Sequence, residues 1–395
     1  MKITALVSLA AAVLAFADAS PVRKANPNGH AVPLTRNPHF KHNTKAQISK
    51  LNKRYPGLNI LAASTGKVPL TDVSPDLEYY GSVSIGTPAQ VVKLDFDTGS
   101  SDIWFPSTSC TTSACKAHTR FNTAKSSTYK KDGRSWNMSY GDGSTSSGTL
   151  ASDIVNVGGV SVRQTIGLAT QESSQFGSSP GDGLFGLGFD TIESISGVKT
   201  FMDNAIAAGV LAKPVVSVFL PSERVFNGQG GQYLFGGIDT TKYTGSLTYV
   251  PVTQKGYWQI AIDDAGYNGQ SLGQSSQGIV DTGTTLIIVG DDAAQAIHSN
   301  ISGATNDSTN GWLVPCSLSS STDTISFTMA GTAFNVAVAD LAYEDVGDGS
   351  GNCVSGVQGG QDDLWILGDV FIKNNYCVFS QTSSPSIGIA PLKGV

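Results

Sequence analysis

Apolar and polar side chains alternate over short runs through most of the chain, and residues typical of turns separate these runs. A period of two is the pattern of half-buried strands. The clearest predicted strands are Tyr79–Ile85, Val91–Phe96, Ser135–Tyr140, Leu247–Val252, Trp258–Ile262 and Ile325–Met329. Helical periodicity is best at Thr200–Ala208 and Asp291–Ser299. The pattern therefore predicts a mostly β fold with few short helices.

The first 19 residues have the pattern of a secretory signal peptide. Lys2 precedes an apolar stretch from Ile3 to Phe16, and the small-x-small sequence Ala17-Asp18-Ala19 follows. We therefore expect residues 1–19 to be a signal peptide and the protein to be secreted and extracellular, with a vacuolar location as the alternative. No apolar run of membrane length follows this segment, so we expect no membrane partner.

Charge divides the chain of 395 residues into a basic leader and an acidic body. Residues 20–70 hold nine Lys or Arg and no Asp or Glu, whereas residues 71–395 hold 30 acidic and 15 basic residues, a balance of −15. Such a body repels phosphate, so a nucleic-acid partner is not expected. The interpretation that fits both parts is a basic propeptide over residues 20–67 that lies on the acidic body and is later removed.

Five cysteines in an exported chain predict two disulfides and one unpaired thiol. Cys110 and Cys115 bracket a short loop and can close it, and Cys316 and Cys353 then close a longer one. Cys377 lies in a strand-like run and is expected to be a small buried hydrophobe. The body offers two histidines and no CxxC pair, so we expect no metal and no cofactor.

Two segments of the chain repeat each other. Leu94–Ser100 recurs as Gly278–Thr284, with Asp-Thr-Gly in both copies. A weaker pair follows in the same order, since Gly186 lies 89 residues after Asp97 and Gly368 lies 87 residues after Asp281. The repeat predicts two lobes related by a pseudo-twofold axis: residues 68–240 carrying Asp97 and residues 241–395 carrying Asp281.

Each Asp-Thr-Gly places a carboxylate between a buried strand and a glycine whose amide can approach it closely. The hydroxyls of Ser100 and Thr284 can donate to the outer carboxylate oxygens, and Thr98 and Thr282 can tie the two turns together. Two neighbouring carboxylates share one proton. The ionised one can then activate a water, and the protonated one can polarise a carbonyl. This chemistry hydrolyses a peptide bond through a tetrahedral diol, with no acyl-enzyme.

The chain resembles the pepsin family of aspartic endopeptidases, and within it secreted fungal pepsins. The resemblance rests on the sequences of Asp97–Trp104, Ser139–Ser144, Gly186–Asp190 and Lys373–Tyr376. It implies two β-barrel-like lobes with a deep cleft between them, protein and peptide substrates, and Asp97 and Asp281 as the catalytic pair. It also implies a flap that carries Tyr140, Gly141 and Asp142, with Trp104 supporting the tyrosine. We expect the remaining substrate-binding residues to be Gly99, Gly283, Thr284 and Thr285.

For three of these sites the sequence leaves a second interpretation open. Tyr140 taken alone has the pattern of an ordinary strand tyrosine. Asp142 either accepts a substrate lysine before the scissile bond or is a turn residue chosen for its backbone. Lys53-Arg54-Tyr55 resembles the element by which family propeptides bridge the catalytic carboxylates, and the alternative is a leader that only assists folding. If it inhibits, the propeptide is an intramolecular partner, and the mature monomer starts near residues 62–68.

Asn300 and Asn306 begin Asn-x-Ser sequons in a polar stretch and are candidates for glycosylation. Other functional classes fit less well. A glycoside hydrolase does not require two equivalent Asp-Thr-Gly turns. A binding protein that has lost its chemistry would show a damaged motif. A serine or cysteine protease is not expected, because neither histidine of the body has a plausible nucleophile as its partner in the sequence. The sequence therefore predicts a secreted acid endopeptidase made as an inactive precursor that activates itself in acid.

Overall fold

The computed structural model describes residues 29–36, 79–139, 144–179, 181–226, 231–360 and 362–395. Its strands are β1 His30–Pro33, β2 Thr35–Arg36, β3 Tyr79–Ile85, β4 Gln90–Asp97, β5 Ile103–Pro106, β6 Lys130–Ser139, β7 Thr145–Val157, β8 Val160–Glu172, β9 Gly183–Gly186, β10 Val215–Phe219, β11 Gln232–Phe235, β12 Thr248–Lys255, β13 Trp258–Tyr267, β14 Gln270–Val280, β15 Ile287–Ile288, β16 Thr305–Asp307, β17 Gly311–Pro315, β18 Thr324–Met329, β19 Thr332–Ala337, β20 Ala342–Asp345, β21 Asn352–Ser355, β22 Val357–Gln358, β23 Trp365–Leu367, β24 Asn375–Ser380 and β25 Ser386–Pro391.

Short helices connect some of these strands. The α-helices are Ser113–Ala117, Phe201–Ala207, Glu223–Phe226, Asp291–His298 and Asp369–Ile372, and single 3₁₀ turns lie at Thr123–Lys125, Ser174–Ser178, Asp190–Ile192, Cys316–Ser320 and Val338–Leu341. Helix Phe201–Ala207 begins where Thr200 and Asp203 cap each other's backbone amides. The prediction of a mostly β fold with few short helices is confirmed. Among the described residues, no helix is long and apolar enough to cross a bilayer.

Six strands of the first half close into a ring. The order is β3-β4-β9-β5-β8-β7, and β7 pairs back onto β3. The longest hairpin, β7–β8, turns at Gly158 and Gly159, both of which have positive φ. Such a two-residue turn matches the right-handed twist of the strands it joins. The ring encloses an apolar core that includes Phe96, the residue before Asp97.

The second half belongs to a larger sheet of 13 strands that also contains β10 and β11 from the middle of the chain. β24 and β25 lie inside this sheet, because β24 pairs with β10 and β25 pairs with β12. Four further strands form a separate sheet with the order β16-β17-β21-β20. Strands from distant parts of the chain therefore meet around one shared apolar core.

The repeat seen in the sequence is also a repeat of strand pairing. β4 runs parallel to β9, which pairs antiparallel with β5. In the same way β14 runs parallel to β23, which pairs antiparallel with β15. Each half thus carries the same three-strand arrangement around its Asp-Thr-Gly turn.

Part of the basic leader pairs with the body. Residues 30–33 form an edge strand antiparallel to β11, and residues 35–36 pair with β3. Val32 is buried, and a Cβ added to Gly81 would lie only 2.6 Å from its side chain. The segment is therefore packed into the sheet edge rather than held by charge alone.

Candidate active site

The two Asp-Thr-Gly turns lie at equivalent ends of parallel strand pairs. β4 ends at Asp97, whose register partner on β9 is Gly186. β14 ends at Val280, whose register partner on β23 is Leu367, and Asp281 follows. Asp97 and Asp281 are both fully buried. A strand on each side thus fixes the backbone that carries each carboxylate.

The second, weaker repeat in the sequence has a steric cause. A Cβ added to Gly186 would lie 2.3 Å from the carbonyl carbon of Ser101, and one added to Gly368 would lie 2.3 Å from the carbonyl oxygen of Thr284. Both distances are far inside van der Waals contact. Only glycine therefore allows the neighbouring strand to lie directly against each turn.

The two carboxylates have matching hydrogen-bond partners. The Gly99 amide donates to Oδ1 of Asp97 at 2.8 Å, and the Ser100 hydroxyl donates to Oδ2 at 2.5 Å. In the other turn, the Gly283 amide donates to Oδ1 of Asp281 at 3.0 Å and the Thr284 hydroxyl donates to Oδ2 at 2.5 Å. One oxygen of each carboxylate thus accepts an amide and the other a hydroxyl, which fixes the orientation of both groups.

Thr98 and Thr282 join the turns directly. The amide of each threonine donates to the hydroxyl oxygen of the other, at 3.0 and 2.9 Å. The Thr98 hydroxyl in turn donates to the Val280 carbonyl, and the Thr282 hydroxyl donates to the Phe96 carbonyl. All of these bonds are buried, so water does not compete for them. The two turns, 184 residues apart in sequence, therefore form one hydrogen-bonded unit.

The last two predicted site residues lie next to the two turns in the sequence: Thr285 directly follows the second turn, and Trp104 lies on β5, shortly after the first turn. The Thr285 carbonyl accepts the amide of Val370, which attaches the second turn to helix Asp369–Ile372. Trp104 is buried on β5, with its ring 5.7 Å from that of Trp136 on β6.

β6 and β7 pair as a hairpin up to Ser139 and Thr145. The predicted flap residues Tyr140, Gly141 and Asp142 lie outside the described residues, as do Lys53, Arg54 and Tyr55.

Asp102 has a role that the sequence did not suggest. Its carboxylate accepts hydrogen bonds from the Trp136 indole at 3.0 Å and from the Ser194 amide and hydroxyl at 3.0 and 2.5 Å. Asp102 therefore joins the first turn to β6 and to the segment after β9. Neighbouring Glu193 is largely buried, and this burial, together with the charge of Asp102, raises its pKa to about 9. The only sequence signal was the place of Asp102, directly after the repeated turn.

Both expected disulfides are present, Cys110–Cys115 and Cys316–Cys353. Cys377 is fully buried as a free thiol, and burial raises its pKa. An ionised, nucleophilic form is therefore disfavoured. The sequon residues Asn300 and Asn306 are both exposed.

Comparison with known proteins identifies relatives over nearly the whole chain. The family model for eukaryotic aspartyl proteases matches residues 78–392. Rhizopuspepsin-4 of Rhizopus niveus is 43% identical over 99% of this chain and 98% of its own length. Syncephapepsin of Syncephalastrum racemosum is 42% identical over the full length of both proteins. Pepsin A of Callithrix jacchus is 40% identical over 80% of this chain and 81% of its own length.

The matched range includes both Asp-Thr-Gly turns, the strand pairs that hold them and the threonines that join them. Sequence, pairing pattern and relatives agree on one family. The chain is a member of the eukaryotic aspartyl protease family.

Proposed function

We propose that the protein hydrolyses peptide bonds of proteins, with Asp97 and Asp281 together activating one water molecule. The observation that carries this proposal is the reciprocal hydrogen bonding of Thr98 and Thr282, because each threonine directly follows one of the aspartates. Turns joined in this way hold their carboxylates at a fixed spacing. A fixed spacing is what two carboxylates need in order to share one proton.

In the proposed reaction, the ionised carboxylate takes a proton from the water molecule. At the same time the oxygen of that water bonds to the carbonyl carbon of the substrate. The protonated carboxyl gives its proton to the carbonyl oxygen, which yields a tetrahedral diol. The C–N bond then breaks as the amide nitrogen takes a proton from the first carboxyl. The second carboxylate recovers a proton from the collapsing diol, so the pair ends with one proton, as it began.

Asp97→Asn and Asp281→Asn test this assignment. Each substitution removes one of the two carboxyl groups that share the proton. It should lower kcat/KM on a long peptide at acidic pH on the order of a thousandfold or more. Asp153→Asn is a matched control, because Asp153 is also fully buried and accepts from the Thr128 hydroxyl and the Ile154 amide. Proteolysis that survives in either of the first two variants, measured on N-terminally sequenced mature enzyme, would exclude the shared-proton mechanism.

We also propose that residues 20–67 are an inhibitory propeptide that is removed in acid. The edge strand formed by residues 30–33 supports a leader that is docked on the body, and its lack of acidic residues suits a body of net charge −15. Acidification protonates carboxyl groups of the body and weakens this attraction. Arg54→Ala should therefore yield a precursor that activates at higher pH, and an unchanged activation profile would argue against a bridging role for Lys53-Arg54-Tyr55.

We also propose that the protein is secreted. Residues 1–19 have the pattern of a signal peptide, and the two disulfides suit an oxidising compartment.

For the substrate, we propose a preference for bulky apolar residues before the scissile bond, with lysine also accepted there through Asp142. Asp142→Thr should lower cleavage after lysine and spare cleavage after phenylalanine. Equal losses on both substrates would reject that preference.

A further inference from the structure

A hairpin of the second half touches the backbone that holds Asp97. β12 and β13 meet at Lys255 and Trp258, with Gly256 and Tyr257 between them. The Trp258 indole N–H donates to the Leu187 carbonyl at 2.9 Å, and the Gly256 carbonyl accepts the amide of Phe189 at 3.0 Å. Two hydrogen bonds therefore join this hairpin to the segment that follows β9.

The indole is also held by ring packing on two sides. The ring of Trp258 lies 4.5 Å from that of Phe189 and 5.2 Å from that of Phe379, centroid to centroid. Only 2% of Trp258 is exposed. A buried indole N–H needs an acceptor, and here that acceptor is a single backbone carbonyl. Ring packing and the hydrogen bond together fix the distance between hairpin and segment.

Leu187 passes this contact on to the first aspartate. The amide of Leu187 donates to the Asp97 carbonyl at 2.8 Å, while its carbonyl accepts the Trp258 indole. One residue thus joins the tryptophan to the backbone of Asp97. The next amide, that of Gly188, donates to the Ser100 carbonyl at 2.7 Å, so the whole first turn is attached to the same segment.

On its other side, Trp258 is attached to the strand that leads to Asp281. Its neighbour Gln259 pairs with Ile279, two residues before Asp281, and Ile260 pairs with Gly278. The path from Asp97 through Leu187, Trp258 and β14 to Asp281 is therefore continuous. It joins the two aspartates by a route separate from Thr98 and Thr282.

We propose that Trp258 is a positioning residue that sets the spacing of Asp97 and Asp281 across the two halves of the molecule. The inference rests on the proposed function, since spacing matters only if the two carboxylates act as a pair. Two groups that share a proton interact more strongly the closer they lie. A change in spacing therefore moves the two limbs of the pH–rate profile relative to each other, which a general loss of stability does not do.

Trp258→Phe tests the proposal, because it removes the indole N–H and keeps an aromatic ring between Phe189 and Phe379. We expect kcat on a long peptide to fall about tenfold with KM changed less than about twofold. We also expect the acidic and alkaline limbs of kcat/KM against pH to lie closer together than in the unsubstituted enzyme.

Trp312→Phe is the matched control. Trp312 is equally a buried tryptophan, stacked on His298 at 4.3 Å in the four-stranded sheet. Trp312→Phe should lower the melting temperature about as much as Trp258→Phe does, and it should leave both limbs of the pH–rate profile in place. If Trp258→Phe leaves both limbs where they are in Trp312→Phe, Trp258 is structural only and the proposal is wrong.

If Trp258→Phe does not fold, Phe189→Leu loosens the same contact from the opposite side, and the same movement of the limbs is expected. Unchanged limbs in that variant overturn the proposal equally. Failure of the proposed function would be distinguishable, because Asp97→Asn and Asp281→Asn would then retain proteolysis whatever the Trp258 variant does.

Discussion

The backbone amides of Thr98 and Thr282 each donate to the other residue's hydroxyl, so a pair of small side chains closes the contact between two distant turns. Each hydroxyl also donates onward, to Val280 and to Phe96. Each threonine thus serves as donor and acceptor at once. Removing one hydroxyl leaves the other threonine's buried amide without its acceptor and takes one donor from a buried carbonyl.

Thr98→Val should therefore destabilise the protein by about 1–3 kcal/mol per group left unpaired, at nearly constant volume. Activity should fall as well, because the two turns lose half of their direct connection. Chemical unfolding and peptide hydrolysis at acidic pH measure the two effects. Thr98→Ser keeps the hydroxyl and is the control; a Val variant as stable and active as the Ser variant would contradict the prediction.

His298 sets a limit on stability in acid. Burial lowers its pKa to about 4, and the ring lies between Ala294, Ser355 and the face of Trp312. Since the folded pKa lies below the ordinary value of 6.5, the stabilisation is fully present above pH 6.5. It is lost as the pH falls towards 4, by up to about 3 kcal/mol.

His298→Phe removes this titration and keeps a ring against Trp312. We expect the variant to be less stable at pH 7, because Ser355 and Ala294 lose a partner, but to lose less stability between pH 6.5 and 4 than the unsubstituted protein. Guanidinium unfolding at several pH values measures the slope. The prediction fails if the two slopes are the same.

Glu193 acts in the opposite direction. Its pKa of about 9 lies above the ordinary value of 4.5 because burial and the charge of Asp102 disfavour ionisation. The folded state is therefore favoured below pH 4.5, and this stability is lost as the pH rises towards 9. Glu193→Gln should make the protein more stable at pH 7, by up to about 3 kcal/mol, with little change at pH 4.

Thermal unfolding at pH 4 and pH 7 tests the Glu193 prediction. Asp363→Asn is a suitable control because it removes a carboxylate that is exposed. A gain in Glu193→Gln no larger than that of the control at pH 7 would show that Glu193 ionises without penalty in the folded protein.

The two disulfides should contribute unequally to stability. Cys110–Cys115 joins residues 5 positions apart, whereas Cys316–Cys353 joins residues 37 positions apart. Loop-closure entropy in the unfolded chain gives about 2 kcal/mol for the short loop and about 4 kcal/mol for the long one. Paired Cys→Ser replacements followed by denaturant unfolding measure both, and equal losses would refute this order.

Local patterns were enough to predict several of the strands. Alternation placed Tyr79–Ile85 and Ile325–Met329 correctly, because each strand buries one face in the core. Helical periodicity likewise placed the helix Phe201–Ala207, which Thr200 and Asp203 cap in the structure. The repeated Asp-Thr-Gly indicated that two turns are equivalent, since one chemical environment selects one sequence.

Contacts between distant segments could not be predicted in the same way. Nothing near His298 in the sequence indicates that Trp312 stacks on it, and nothing near Trp258 indicates that Leu187 accepts its indole N–H. The environment of Glu193 likewise depends on Asp102, which lies in a distant part of the chain. Residues 30–36 were expected to bind through charge, and their strand pairing with β11 and β3 follows from backbone hydrogen bonding that composition does not reveal.

The position of β24 and β25 has a consequence for biosynthesis. These strands, Asn375–Ser380 and Ser386–Pro391, lie between β10 and β12 in the large sheet. A nascent chain therefore lacks the centre of that sheet until these residues have left the ribosome. The sheet topology alone therefore keeps the protease incomplete until both strands have been synthesised.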